Sequence, residues 1–236
     1  RRMNNVFKLY LQVWVLLAVA GGYGFWWVLS RVNTTGQTLT LRAQGWLWCM
    51  GLLTAGVLVY PVMATPVRLN DRFYKTDTTL DGDEYLKGAQ FQDAQGPLEL
   101  KWDGAAMQWL EENIVGSPVI VEAVTPIYRW GSRVSVNTGL PTVLGWDWHQ
   151  SQQRWDYRSY IEQRKNDVLR IYSAVDPAQA MPVLRKYGVK YVYLGPLERL
   201  YYPAEGLAKF PTMVRQGLLK LAYENPHVAI YEVVGG

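Results

Sequence analysis

Cysteine is nearly absent from this chain, which has one, Cys49, among its 236 residues. A single cysteine excludes an internal disulfide and a thiolate zinc site, and it gives no signal about redox compartment. Runs of Lys or Arg are also missing, and the net charge of +4 is spread along the chain. Without a basic stripe, nucleic acid is not an expected partner.

The common catalytic motifs are missing as well. The sequence has no Gly-x-Gly-x-x-Gly after a strand, no P-loop, no Gly-x-Ser-x-Gly and no His-Glu-x-x-His. It has only two histidines, and His227 falls in a predicted C-terminal hairpin where we expect a structural role. No motif therefore names a reaction, and no cofactor is evident beyond a possible divalent cation.

Two long uncharged runs, residues 9–30 and 43–67, dominate the first third of the chain. Each exceeds the about 20 apolar residues that a helix needs to cross a bilayer. Several Trp and Tyr residues lie near the ends of these runs, as in an interfacial aromatic belt. We predict a membrane region, 1–67, with two transmembrane helices at about 9–30 and 45–65 and the lipid bilayer as partner. The alternative is a pair of buried core helices.

The orientation of these helices is weakly encoded. Three Lys or Arg residues precede the first helix, two lie in the connecting loop and three follow the second helix. This excess of one at each end would place both ends of the helix pair in the cytoplasm. The sequence begins at Arg1 rather than at a methionine. We therefore expect the C-terminal part of a longer polytopic protein, or a trimmed N-terminus.

The remaining residues are typical of a globular domain after an extended segment. We interpret 68–102 as a linker and 103–236 as a soluble α/β domain, a mixed sheet with flanking helices. Asp103 is the predicted cap of the first helix, and Asp176 and Gly188 bound a later one. The predicted helices are 103–114, 157–173, 177–187 and 211–217, and the predicted strands are 119–121, 133–136, 189–194, 218–224 and 227–234.

The segment 139–154 combines an apolar run with an unusual density of aromatic and polar side chains. His149, beside Asp147 and near Arg154, has the chemistry of a general acid or base. Indoles also stack on sugar faces, although they equally cover cores. A ligand site and a self-satisfied structural loop both remain open. The candidate ligand-binding residues of this segment are Trp146, Asp147, Trp148, His149, Gln153 and Arg154.

Two further polar clusters follow predicted strands, where ligands gather in sheet-based domains. Glu122 and Tyr128 belong to the first, and a salt-bridge role is the alternative for Glu122. Glu198 and Arg199 belong to the second, for which a loop packed against the membrane face is the alternative.

A pair of carboxylates, Asp81 and Asp83, gives a weak metal candidate. Carboxylates at this spacing can hold a divalent cation. Asp-Gly is also a common turn signal, and the turn is the preferred interpretation.

Five pieces of the chain, taken in order, resemble the C-terminal region of the chloroflexal–archaeal YYY membrane proteins. The Gly-Leu-Pro-Thr-Val-Leu-Gly-Trp stretch is the most specific of them. Members of this family are similar to GT-C glycosyltransferases, which use lipid-linked sugar donors and carry a soluble extracytoplasmic C-terminal domain. The matching pieces are residues 80–85, 106–123, 133–154, 186–203 and 206–210.

The resemblance implies an integral membrane protein whose soluble domain is extracytoplasmic. GT-C enzymes place their catalytic acid in an early extracytoplasmic loop, and no such loop precedes residue 9. We therefore expect the catalytic region to lie outside these residues, with upstream helices or other membrane subunits as partners.

Two hypotheses follow from the sequence. In the first, the domain of a GT-C-like glycosyltransferase helps to bind a lipid-linked sugar or an acceptor: Trp146, Trp148 and His149 contact the ligand, Arg154 meets phosphate and Glu122 orients a hydroxyl. In the second, the chain is a non-catalytic membrane-anchored subunit that docks onto partners in a larger complex.

Overall fold

The computed structural model describes residues 2–33, 40–72, 79–127 and 129–235. The chain divides into two compact units, Arg1–Phe73 and Tyr74–Gly236.

The first unit consists of two long helices, α1 (Arg2–Asn33) and α2 (Leu41–Arg72). Within them, Lys8–Arg31 and Leu41–Asn70 have mean hydropathies of 1.6 and 1.8 and no buried side chains. Both are therefore long and apolar enough to cross a membrane. The prediction of two long apolar helices is confirmed, and the burial expected of core helices is not found.

The second unit begins with elements inside the segment interpreted as a linker. A short 3-10 helix (Glu84–Lys87) precedes the antiparallel hairpin β1 (Gln90–Asp93) and β2 (Gly96–Glu99). The next helix, α3 (Leu100–Asn113), starts three residues before the predicted boundary. The capping role predicted for Asp103 is therefore wrong, because this residue lies inside the helix and is buried.

The main sheet has four strands in the order β3-β4-β6-β5. Strand β3 is parallel to β4, whereas β4 and β5 are both antiparallel to β6. Together with the flanking helices, this mixed sheet confirms the predicted α/β class. The strands are β3 (Val119–Val121), β4 (Val189–Leu194), β5 (Leu219–Glu224) and β6 (Ala229–Val233).

The helices of the second unit after α3 flank this sheet or connect its strands. Helix α6 is attached to the sheet by its buried Tyr172, whose hydroxyl lies 2.9 Å from the Val121 carbonyl and 2.7 Å from the Tyr193 carbonyl. These helices are α4 (Arg133–Thr138), α5 (Asp147–Gln153), α6 (Arg158–Ser173), α7 (Pro177–Lys186), α8 (Pro196–Tyr201), α9 (Ala204–Leu207) and α10 (Lys209–Arg215).

The strand predicted at 133–136 is wrong, because these residues form the helix α4. The N–H groups of Val134 and Ser135, in its first turn, donate to the carboxylate of Glu122, at 2.9 and 3.0 Å. A helix leaves its first N–H groups without intrahelical partners, so a fixed carboxylate stabilises this end. The partner comes from a different part of the chain, which local alternation cannot reveal.

The apolar run that follows α4 lies along the free edge of β3. The Ile120 N–H donates to the Pro141 carbonyl and the Val143 N–H donates to the Ile120 carbonyl, at 2.8 and 3.1 Å. Val143 and Leu144 are buried in the core. This pairing fixes where the chain leaves the sheet and enters α5.

Candidate functional site

Arg133, the first residue of α4, is buried with three carboxylates around it. Its Nε donates to Asp103 Oδ2 at 2.8 Å, and its terminal nitrogens donate to both oxygens of Glu198 at 3.2 and 2.8 Å. Glu122 Oε2 lies 3.9 Å from the guanidinium. Burial by itself would lower the pKa of Arg133, but Asp103 and Glu198 raise it well above its ordinary value.

Backbone and aromatic donors complete the coordination of these carboxylates. Glu198 accepts the N–H groups of Ala123 and Gly195, each at 2.7 Å. Asp103 accepts the Tyr193 hydroxyl at 2.7 Å. A Cβ on Gly195 would lie 2.9 Å from the Arg133 guanidinium, so the glycine leaves room for this arrangement.

Glu122 and Glu198, both predicted as ligand candidates, are fully buried in this network. Burial raises the pKa of the Glu122 carboxyl, although Arg133 and the N–H donors of α4 oppose the shift. All four carboxylate oxygens of the two residues have partners within the chain. This geometry supports the salt-bridge role that was the alternative for Glu122.

The candidate residues of 146–154 lie on and beside α5, at the surface. Trp146 and Trp148 are 37% and 44% exposed. His149, Gln153 and Arg154 are also exposed. Two indoles and three polar side chains therefore lie on or directly beside one short helix at the surface. Their role in ligand binding stays a prediction.

Contacts to buried elements hold this segment in place. Trp146 Nε1 donates to the Gly131 carbonyl at 2.8 Å, and Arg164 on α6 donates to the Val143 carbonyl at 2.9 Å. Asp147 accepts from Lys165 at 2.7 Å, and this hydrogen bond raises the pKa of Lys165. Asp147 is thus paired with a side chain of α6. The His149 ring also contacts Trp146, with ring centroids 6.5 Å apart.

The backbone before α4 carries local strain. Ser132 has a φ of 59°, a left-handed conformation that side chains other than glycine rarely adopt. A Cβ on Gly145, just before Trp146, would lie 3.0 Å from the Ser132 hydroxyl. The two ends of the segment 132–145 therefore meet closely below α5.

An exposed aromatic group directly after α5 was missed by the sequence reasoning. Trp155, Tyr157 and Tyr160 are 55%, 59% and 61% exposed. The Arg158 guanidinium lies 3.3 Å from the centre of the Trp155 ring. The sequence contained a signal for this group, because aromatic and basic residues continue past 154. It was overlooked because this stretch was assigned to a helix from its apolar spacing alone.

The second strand-end cluster is divided between core and surface. Arg199 is exposed and lines a cavity of about 480 Å³ at the end of β4. Tyr201 donates to Asp93 at 2.7 Å, and the buried Tyr202 hydroxyl lies 3.1 Å from the Val124 N–H. Tyr128, the other aromatic candidate, lies outside the described residues.

The carboxylates Asp81 and Asp83 lie in a turn. Asp81 Oδ1 accepts the Asp83 N–H at 2.9 Å, the geometry of an Asx turn. Both residues line a cavity of about 570 Å³ that also includes Lys87 and Lys101. Among the residues that the structure describes, no group of three or more His, Cys, Asp or Glu side chains is placed to hold a metal ion.

Comparisons with known proteins find a likeness only among solved structures. No family model matches the chain, and no curated protein matches it. A solved structure that resembles it is the C-terminal globular domain of an oligosaccharyltransferase from Archaeoglobus fulgidus. The two share 15% identity and a TM-score of 0.34, over 55% of this chain and 94% of the other. A likeness at this level carries no argument about activity, substrate or partner.

Proposed function

We propose that the second unit binds the sugar part of a lipid-linked sugar, or its acceptor, as the C-terminal part of a polytopic GT-C-like glycosyltransferase. The observation that carries the proposal is the exposed pair of indoles on α5, Trp146 and Trp148, with His149 and Arg154 beside them. Indole faces stack on the C–H faces of sugars, and a guanidinium pairs with the phosphate of a lipid-linked donor.

The rigidity of α5 supports a binding role. The contacts of Trp146 with Gly131 and of Asp147 with Lys165 hold the base of the helix. A site whose side chains are already ordered loses less conformational entropy when it binds. Burial of Glu122 leaves the orientation of sugar hydroxyls to His149 and Gln153.

The two apolar helices, α1 and α2, support a substrate that resides in the membrane. They are long enough to span a bilayer, so a chain anchored by them meets lipid-linked molecules in two dimensions. We place the second unit on the extracytoplasmic side, following the family resemblance. The location is tested with Lys220→Cys in a Cys49→Ser background, treated on whole cells with a membrane-impermeant maleimide. Labelling of the introduced cysteine is expected if the second unit is extracytoplasmic.

Binding is tested with the full chain in nanodiscs and a polyprenyl-diphosphate-linked hexosamine as probe. We expect Trp148→Ala and His149→Ala to weaken binding by at least about tenfold, about 1.4 kcal/mol each. Arg154→Ala should act mainly on the diphosphate, and hence should not alter binding of the free sugar. His227→Ala and Arg185→Ala are matched controls at exposed positions on other elements. Unchanged affinity in all three α5 variants would reject the site.

A non-catalytic docking role is the second candidate, because exposed Trp and Tyr are also typical of protein interfaces. In that case Trp148→Ala releases a stoichiometric membrane subunit during purification, whereas binding of the lipid-linked hexosamine is unchanged. The two outcomes differ in the same variant and therefore separate the two functions.

A further inference from the structure

The residues directly after α5 form a second exposed surface, which we name the aromatic turn and define as Trp155, Tyr157, Arg158 and Tyr160. Its three aromatic side chains are each more than half exposed. The two tyrosine rings lie 5.9 Å apart at 42°, and the Arg158 guanidinium covers the Trp155 ring. Large aromatic side chains grouped at a surface indicate a partner, because they leave apolar area in water.

The polar tips of these rings have no hydrogen-bond partner in the part of the chain that the structure describes. Within the described ranges, neither the Trp155 indole N–H nor the hydroxyls of Tyr157 and Tyr160 make a hydrogen bond to the protein. Rings with an apolar body and an unpaired polar tip suit a boundary between hydrocarbon and water. Trp and Tyr are enriched at the headgroup level of membranes for this reason.

The contact between Arg158 and Trp155 favours lipid over sugar at this surface. A guanidinium 3.3 Å from the ring centre covers one face of the indole and so removes that face from stacking on a sugar. The same guanidinium keeps N–H donors for an anion on its outer side, and phosphate is the anion that arginine binds best. Residues 154–165 contain four basic and two acidic side chains, and Lys165 is paired with Asp147. The remaining excess of one positive charge, with Arg154 and Arg158 both exposed, complements anionic headgroups.

The membrane helices make a lipid partner available at all times. The second unit is covalently joined to α1 and α2, which are apolar enough to cross a bilayer. Tethering gives weak contacts a high effective concentration, so a small aromatic surface suffices.

We propose that the aromatic turn lies at the level of the lipid headgroups, with Arg158 on lipid phosphate and the rings at the edge of the hydrocarbon. Helix α5 lies directly before this turn in the chain and packs against α6. The contact would hold α5 beside the plane in which a lipid-linked sugar is presented. Only this last consequence rests on the proposed function.

Because Cys49 is the one cysteine of the sequence, replacing it lets a label attach only at an introduced cysteine. In a Cys49→Ser background, Tyr157→Cys and Tyr160→Cys are labelled with a nitroxide, and the full chain is placed in nanodiscs of phosphatidylcholine and phosphatidylglycerol. Collision rates are measured with oxygen, which concentrates in lipid, and with a water-soluble nickel chelate. The control label is at Lys220, an exposed residue of β5.

We expect labels at 157 and 160 to collide with nickel several-fold less often, and with oxygen more often, than the label at 220. Arg158→Gln should reduce this protection in anionic nanodiscs more than in pure phosphatidylcholine, whereas Arg185→Gln should not. Equal nickel collision rates at all three labels would overturn the proposal. Protection from both nickel and oxygen would also overturn it, because it indicates a protein contact.

The result is independent of the sugar-binding test. If the labels at 157 and 160 collide with nickel as often as the label at 220, and Trp148→Ala loses hexosamine binding, the membrane contact is rejected and the proposed function is supported. Protected labels combined with unchanged hexosamine binding do the reverse.

Discussion

Replacement of Arg133 by methionine removes the cation from a buried group of three carboxylates. Methionine keeps most of the side-chain volume, so the loss is one of charge rather than of packing. The guanidinium makes hydrogen bonds of 2.8 to 3.2 Å with Asp103 and Glu198. Removing one partner of a buried ion pair costs about 3–5 kcal/mol, because the remaining charge is left without compensation.

The pH dependence of this loss can be worked out from the carboxylates. Without Arg133, a buried carboxyl avoids its charge by taking up a proton, so its folded-state pKa rises further above the ordinary 4.5 of Glu122. A raised folded pKa means that stability is present below pH 4.5 and is lost as pH rises toward the folded pKa. Neutralising one such group costs about 1.4 kcal/mol per pH unit above 4.5, about 3 kcal/mol at pH 7.

The prediction is therefore a loss of about 3–5 kcal/mol in the free energy of unfolding at pH 7 that shrinks by more than about 2 kcal/mol at pH 5. Urea unfolding of the second unit, followed by near-ultraviolet circular dichroism in the full chain, measures both values. Arg185→Met, an exposed arginine on α7, should change stability by less than about 1 kcal/mol at either pH. If the two variants unfold alike, the network does not hold the domain as we argue.

Three further predictions concern single contacts. Lys209 is buried against carbonyl groups, and burial lowers its pKa to about 8; wild-type stability should therefore rise relative to Lys209→Met as pH increases from 8 to 9.5, and parallel pH profiles would contradict this. Gly206→Ala should destabilise the fold by about 1–3 kcal/mol through overpacking and so lower the melting temperature, because the new Cβ would lie 2.6 Å from the Ser173 carbonyl oxygen. Gly82→Ala, where the new Cβ has open space, should leave the melting temperature unchanged. Asp176→Ala should cost about 1 kcal/mol in chemical unfolding, because the Asp176 carboxylate accepts a hydrogen bond from the first turn of α7; an unchanged midpoint would exclude this cap.

Elements set by their own residues were predictable from the sequence. The strands Val119–Val121 and Val189–Leu194 have the predicted boundaries, because short apolar runs between turn signals describe buried strands well. The cap at Asp176 and the left-handed Gly188 after α7 are confirmed for the same reason. Each of these signals lies within a few residues of the element that it bounds.

Elements set by distant partners were not predictable. Alternation over 133–136 indicated a strand, yet Glu122 stabilises a helix there through the first N–H groups of α4. Asp103 was predicted to cap a helix because it precedes residues with helical spacing. Its actual partners, Arg133 and Tyr193, are distant in sequence and leave no local signal. Likewise a ligand role and a salt-bridge role both stayed open for Glu122, since a carboxylate at a strand end gives no local sign of burial.

The buried network and the exposed indoles are parts of one arrangement. Glu122, at the end of β3, binds the start of α4, and the chain then returns along β3 before it enters α5. Trp146 closes this path by donating to the Gly131 carbonyl, next to the strained Ser132. Strained backbone persists where the surrounding structure over-determines it, and such positions cluster at functional sites. The buried charges therefore fix the chain path that leads to the surface on which Trp146 and its neighbours lie.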